Sequence, residues 1–206
     1  MRLHIGGWER RAGWKIMDVN AGPGVDFVGS CMDMRRFAND SVEEIYASHV
    51  FEHLGYVEQL PRALAEARRV LRPGGRLRAG VPDLEVLCRL FLDPKLTVVE
   101  RFAVQRMMYG GQTDPHDCHF VGLDFAIFKQ FLESAGFTSV RRVPEFGLFK
   151  DTTTLKFKGK PISLNVEAIK PDKPVAEAAG AQLNRAPWWQ AAVGGIVSGI
   201  SDPRAG

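Results

Sequence analysis

Apolar positions follow a strand rhythm at both ends of the chain and a helical rhythm between them. Arg2 to Ile5 alternate polar and apolar and run into Gly6-Gly7, which predicts a strand entering a tight turn. Gly13 to Val19 and Val25 to Val28 predict a second and a third strand. Only Gly6 to Trp14 separate the first two. A helical crossover needs about ten to twelve residues or more, so one helical turn or a loop is expected there. Val42 to Ala47, bounded by Asn39-Asp40-Ser41, predict a fourth strand. From Leu60 the apolar residues fall at Ala63, Leu64, Ala67, Val70 and Leu71, the spacing of a helix. Pro61 is tolerated in its first turn. Glu58 with Arg62, and Glu66 with Arg69, stand a turn apart on its outer face. Arg72-Pro73-Gly74-Gly75 predicts the stop and turn, and Arg76 to Val81 a fifth strand ended by Pro82. Strand, crossover helix and strand make a right-handed parallel unit.

Beyond Asp83 the helical rhythm returns. Leu84, Leu87, Cys88, Phe91 and Leu92 predict one helix, and Leu96, Val99, Ala103 and Met107 another. Tyr109 to Phe120 breaks the rhythm and predicts a loop dense in Gly, Asp and His. Asp124 is placed to cap a helix from Phe125 to Ala135 that Gly136 closes. Thr138 to Val143 and Pro161 to Ile169 predict strands, with a polar hairpin or loop from Asp151 to Lys160. From Pro171 the composition shifts to Ala, Gly and Pro. The expected division is therefore a domain over 1–170 and a tail over 171–206 with a short apolar segment around Trp188-Trp189. That segment is shorter than the roughly twenty residues of a bilayer span.

Composition adds little to this picture. A net charge of +3 over 206 residues, with its arginine pairs dispersed, gives no basic stripe, and no nucleic-acid partner is expected. Three unclustered cysteines, Cys31, Cys88 and Cys118, indicate reduced thiols and a cytoplasmic protein, and the N-terminus lacks a signal-peptide run.

The pattern DSxxxIxxSHVxEHL followed by ExxRVLRPGGxLRxxVPD, from Asp40 to Asp83, resembles the central third of S-adenosylmethionine-dependent methyltransferases of the Rossmann-like class. It is most similar to small bacterial type 11 enzymes, and the resemblance runs from Leu3 to about Lys170. It implies an α/β fold: a doubly wound, mostly parallel sheet with an antiparallel last strand. The first helix is shortened, and a helical insertion follows the fifth strand.

The resemblance also implies S-adenosylmethionine as cofactor and a small-molecule or glycan methyl acceptor. Gly6 and Gly7 stand where the methionine part lies, although the usual acidic-x-Gly-x-Gly-x-Gly is reduced to this pair. Asp18, followed by Val19, stands at the ribose, where a carboxylate matches a diol. Alternatively Asp18 caps the turn Asn20 to Gly24. Asp33, with Cys31, Met32 and Met34, matches the adenine position, and Ser48-His49 close the set after the fourth strand.

Methyl transfer to a hydroxyl is helped by a base, and His119, His49 and His116 are the candidates. His119 is favoured, on a Tyr109–Phe120 loop expected to close over the acceptor, while His53 reads as a packing residue. His116-x-x-His119 with Asp114, Asp117 and Cys118 has metal-type side chains, but no second spaced pair completes a zinc site, so no metal is expected. Two other readings stand beside the enzyme. One is a non-catalytic module binding S-adenosylmethionine or a nucleotide; the other is a dehydrogenase, disfavoured because no GxGxxG opens a helix after the first strand.

Overall fold

The structure, a computed structural model, describes residues 1–172 and 188–190. Residues 1–172 belong to one compact unit. Of the apolar tail segment, only residues 188–190, which are helical, are described; the rest of it lies outside the described residues.

Seven strands form one sheet: β1 (Arg2–Ile5), β2 (Trp14–Asp18), β3 (Phe27–Val28), β4 (Val42–Ser48), β5 (Leu71–Pro82), β6 (Thr138–Val143) and, last in the chain, β9 (Ser163–Ile169). Their order is β3-β2-β1-β4-β5-β9-β6. The first five pair in parallel, and β9 runs antiparallel between β5 and β6. The short strands β7 (Lys156–Phe157) and β8 (Lys160–Pro161) make the expected hairpin.

The crossover from β4 to β5 is α1 (Gln59–Val70), whose Leu60, Ala63, Leu64, Ala67 and Val70 are all buried. Of the two expected pairs on this helix, Glu66 and Arg69 meet at 2.6 Å, whereas the Arg62 guanidinium donates to the carbonyl of Met32. The predicted turn at 72–75 takes another form. β5 starts at Leu71, directly after the helix, because Leu71 is itself core and pairs with Val42. The ladder then shifts register before Glu44, and the extra residues bulge outward with Gly74 at φ +69° and its N–H donating to Lys170 O.

Between β1 and β2 there is no helix, as the short connection required. The face of the sheet carrying His4, Trp14 and Tyr46 is covered by the segment after β6. Phe149 packs against all three rings, with centroids 4.1 to 5.3 Å apart. Tyr46 Oη donates to Asp151 Oδ2 at 2.6 Å and pins that segment.

After β5, α2 (Leu84–Phe91) and α3 (Val98–Tyr109) form the insertion. They enclose a satellite core of Leu87, Leu90, Leu96, Val104 and Ile162. Thr97 and Glu100 form a reciprocal capping box, so α3 begins after Leu96. That start turns Val99, expected in the core, into solvent at 78% exposure. α4 (Phe125–Ser134) is capped by Asp124, which accepts from Ile127 N–H at 2.8 Å, and Gly136 follows it at φ +85°. No helix among the described residues is long and apolar enough to cross a membrane.

Candidate functional site at the carboxyl edge of the sheet

Parallel strands β1 to β4 all end on one edge, and two clefts open there. The first, of about 370 Å³, lies beyond β2 and β3 and is lined by Met17, Val28, Gly29, Ser30, Asp33 and the arginines at 35 and 36. The second, of about 200 Å³, lies beyond β1 and β4. His4, Gly6, Ser48 and His49 line it from the strand ends, and residues 149–152 line it from the covering segment.

Asp18 ends β2, and its Oδ1 accepts the N–H of Asn20 at 2.7 Å, the turn-capping bond. Val19 beside it is exposed. Cys31 and Met34 are buried, and burial pushes the Cys31 thiol up to about 11, so its sulfur is a packing group at neutral pH. Met32 is half-buried. Asp33 holds Arg35 in a two-pronged pair at 2.8 and 2.7 Å, which keeps its carboxyl down at about 2. The strand β3–β4 connection is fastened to α1 from the other side. Arg69 donates to the carbonyls of Met34 and Phe37, and Glu66 accepts the Met34 N–H at 2.7 Å.

Gly6 and Gly7 have internal reasons to be glycine. A Cβ on Gly6, at φ +69°, would stand 2.6 Å from Val50 Cγ2, and one on Gly7 would stand 2.4 Å from His4 Nδ1. The His4 imidazole is buried, which lowers it to about 4 against the opposing pull of Asp151 and Glu9.

His49 is the candidate base that reaches a cleft. It sits at φ +54°, just past β4, with Nε2 2.9 Å from Ser163 Oγ and Nδ1 3.1 Å from Glu52 Oε1. Because Ser163 donates its own hydrogen to Thr152 O, Nε2 carries the proton in that contact. His119 lines neither cleft. It packs edge-on against His53, centroids 4.7 Å apart, and burial lowers its imidazole while nearby Glu52 opposes the shift. His116 is exposed, its N–H bound to Asp114 Oδ1. The metal-type loop set is not assembled, since Asp117 binds Gly111 and Thr113 and braces the loop from within. Sequence reasoning missed the wall at 149–152, which carried no signal, and Glu52. The one hint at Glu52 was an acidic residue inside the apolar run Val50 to Leu54.

The strand order, with one antiparallel strand inserted beside β5, defines the fold of the S-adenosylmethionine-dependent methyltransferases of the Rossmann-like class. Residues 13–79 match the family described as a methyltransferase domain. Among solved structures, the chain is similar to an S-adenosylmethionine-dependent methyltransferase from Archaeoglobus fulgidus. That match has TM-score 0.52 and 15% identity and covers 82% of this chain and 85% of the other. It is also similar to a possible exported protein from Bordetella parapertussis, with TM-score 0.50, 12% identity, and coverage of 82% and 61%. A third match is human N-acetylserotonin methyltransferase in complex with S-adenosylmethionine, with TM-score 0.45, 14% identity, and coverage of 77% and 41%. The chain spans about half the length of several further structures it matches. No curated protein matches it in sequence.

Proposed function

We propose that the chain binds S-adenosylmethionine along the carboxyl ends of β1 to β4 and transfers its methyl group to a small-molecule or glycan acceptor. The observation that carries this reading is that Asp33 lines one cleft and Ser48-His49 the other at the carboxyl edge of the sheet, while Asp18 ends β2 next to Met17, which also lines the first. The residues fit such a cofactor. Asp18 uses only Oδ1 on Asn20, so Oδ2 is available to a ribose hydroxyl. Met17 and Val28 supply an apolar wall beside Asp33 for a flat base. When bound, the cofactor supplies an activated methyl on a sulfonium, and in-line approach of a nucleophile is the main requirement.

The protein's part is orientation and exclusion of water. Phe149 and residues 150–152 roof the second cleft, and Tyr46 holds the roof through Asp151. His49, held by the Nε2–H bond to Ser163 Oγ, lines that cleft as the polar group for the acceptor. This assignment replaces His119, whose ring turns to His53. The cytoplasmic setting expected from the cysteines is part of the same proposal.

A second reading, a binding module without turnover, is favoured by two features. Gly6 and Gly7 accommodate Val50 and His4, and Asp33 is already paired with Arg35. Calorimetric titration tests the assignment. Stoichiometric binding of S-adenosylmethionine and of its demethylated product, with none of NAD, is expected, and preference for NAD sinks the reading. Methyl release to any member of an acceptor panel decides between enzyme and module.

A further inference from the structure

Glu52 is 1% exposed, and neither of its carboxylate oxygens has a hydrogen-bond partner. His49 Nδ1 approaches Oε1 to 3.1 Å, but without hydrogen-bond geometry. A buried carboxylate left this way calls for a cation. The two other groups facing it are imidazoles prepared as ligands. His53 Nδ1 lies 3.1 Å from Cys118 O, and His119 Nδ1 lies 3.2 Å from Met108 O. A carbonyl only accepts, so both Nδ1 atoms carry hydrogen and both Nε2 atoms keep their lone pairs. Metal-bound histidines make this same outer bond, which fixes tautomer and ring orientation. One ligand atom from each of Glu52, His53 and His119 lies within 4.8 Å of the others. The two segments are held together by backbone, since Phe120 and Val121 both donate to Glu52 O.

We infer that Glu52, His53 and His119 form a binding site for a divalent transition-metal ion of the zinc type. Two neutral imidazoles and one carboxylate are a zinc donor set, and three protein ligands leave a fourth tetrahedral position open. The ion fastens the 110–121 loop to the turn Phe51–His53 that follows β4, directly behind His49. It neutralises the carboxylate that His49 faces. The site involves neither His116 nor the Asp114 and Asp117 carboxylates, so it differs from the set the loop sequence offers by itself. It stands without the methyl-transfer reading, because none of its ligands lines either cleft.

The test uses the full chain without an affinity tag, stripped with a chelator and titrated with Zn²⁺ by calorimetry and with Co²⁺ by absorbance. One equivalent should bind, Co²⁺ should show tetrahedral bands, and Zn²⁺ should raise the melting temperature. His119→Ala and Glu52→Gln should each weaken binding by more than about tenfold, and His116→Ala should bind like the parent. Should Glu52→Gln fail to fold, His53→Ala takes its place. Absence of stoichiometric binding by the parent, equal binding by folded His119→Ala, or loss of binding in His116→Ala overturns the site. S-adenosylmethionine is titrated separately, so a chain that binds zinc and no cofactor refutes only the methyl-transfer reading.

Discussion

The imidazole of His4 occupies the space that a side chain on Gly7 would need, with Nδ1 only 2.4 Å from where a Cβ would stand. The Gly-Gly turn after the first strand is therefore built around a buried histidine as well as beside a cleft. Gly7→Ala should lower stability by about 1–3 kcal/mol, the usual cost of overpacking, read as a fall in Tm. Combining it with His4→Ala should cost less than the two single changes summed, because the smaller side chain makes room. Strict additivity would show that the ring is not what requires glycine.

The same histidine predicts an acid limb of stability. In the fold its pKa is about 4, against 6.5 when free, because burial disfavours the charged form. The unfolded chain thus takes up a proton as pH falls below 6.5 while the folded chain does not. The stabilisation is complete above that value and is lost progressively down to about 4, amounting to about 3 kcal/mol. Urea midpoints measured from pH 7 to 4 should show this decline, and His4→Phe, which suits the Tyr46 and Phe149 contacts, should flatten it. An unchanged slope in the variant would assign the titration elsewhere.

Asp18 separates turn from ligand. Asp18→Ala should weaken S-adenosylmethionine binding by about 1.5–3 kcal/mol, roughly ten- to a hundredfold, the range for bonds to a charged group. Asp18→Asn keeps an acceptor for Asn20 N–H and loses only the charge. Calorimetry should find both variants weak. Parent-like affinity in Asp18→Asn would leave the residue as a turn cap alone.

Arg69 ties the segment beside the first cleft to α1, reaching Glu66, Asn39 and the carbonyls of Met34 and Phe37. Arg69→Ala should cost about 2–3 kcal/mol, as it leaves a carboxylate and two carbonyls without their donor. Lysine should restore little, because a point charge cannot serve that fork of acceptors. Chemical denaturation of the three proteins checks both statements; full recovery in Arg69→Lys would mean that charge alone matters.

Local pattern determined most of this architecture. The strands, the helix Gln59–Val70, the Asp124 cap and the missing first helix are set within a few residues by burial alternation, capping chemistry and connection length. The motif from Asp40 to Asp83 carried the expectation of the fold, and the antiparallel β9 expected from it is found beside β5.

What only the tertiary structure decided lies between segments distant in the chain. Phe149 meets His4 across 145 positions, and Glu52 meets His119 across 67. Sequence spacing says which residues share a face of one element. It says nothing of which loop will cover that face, because the choice depends on the packing of the whole sheet. The turn at 72–75 and the outward Val99 went the same way. In each, a neighbouring demand, the burial of Leu71 and the Thr97–Glu100 box, outweighed the local signal. The pairing of a buried carboxylate with two oriented imidazoles arises only where β4 ends and the 110–121 loop returns to it.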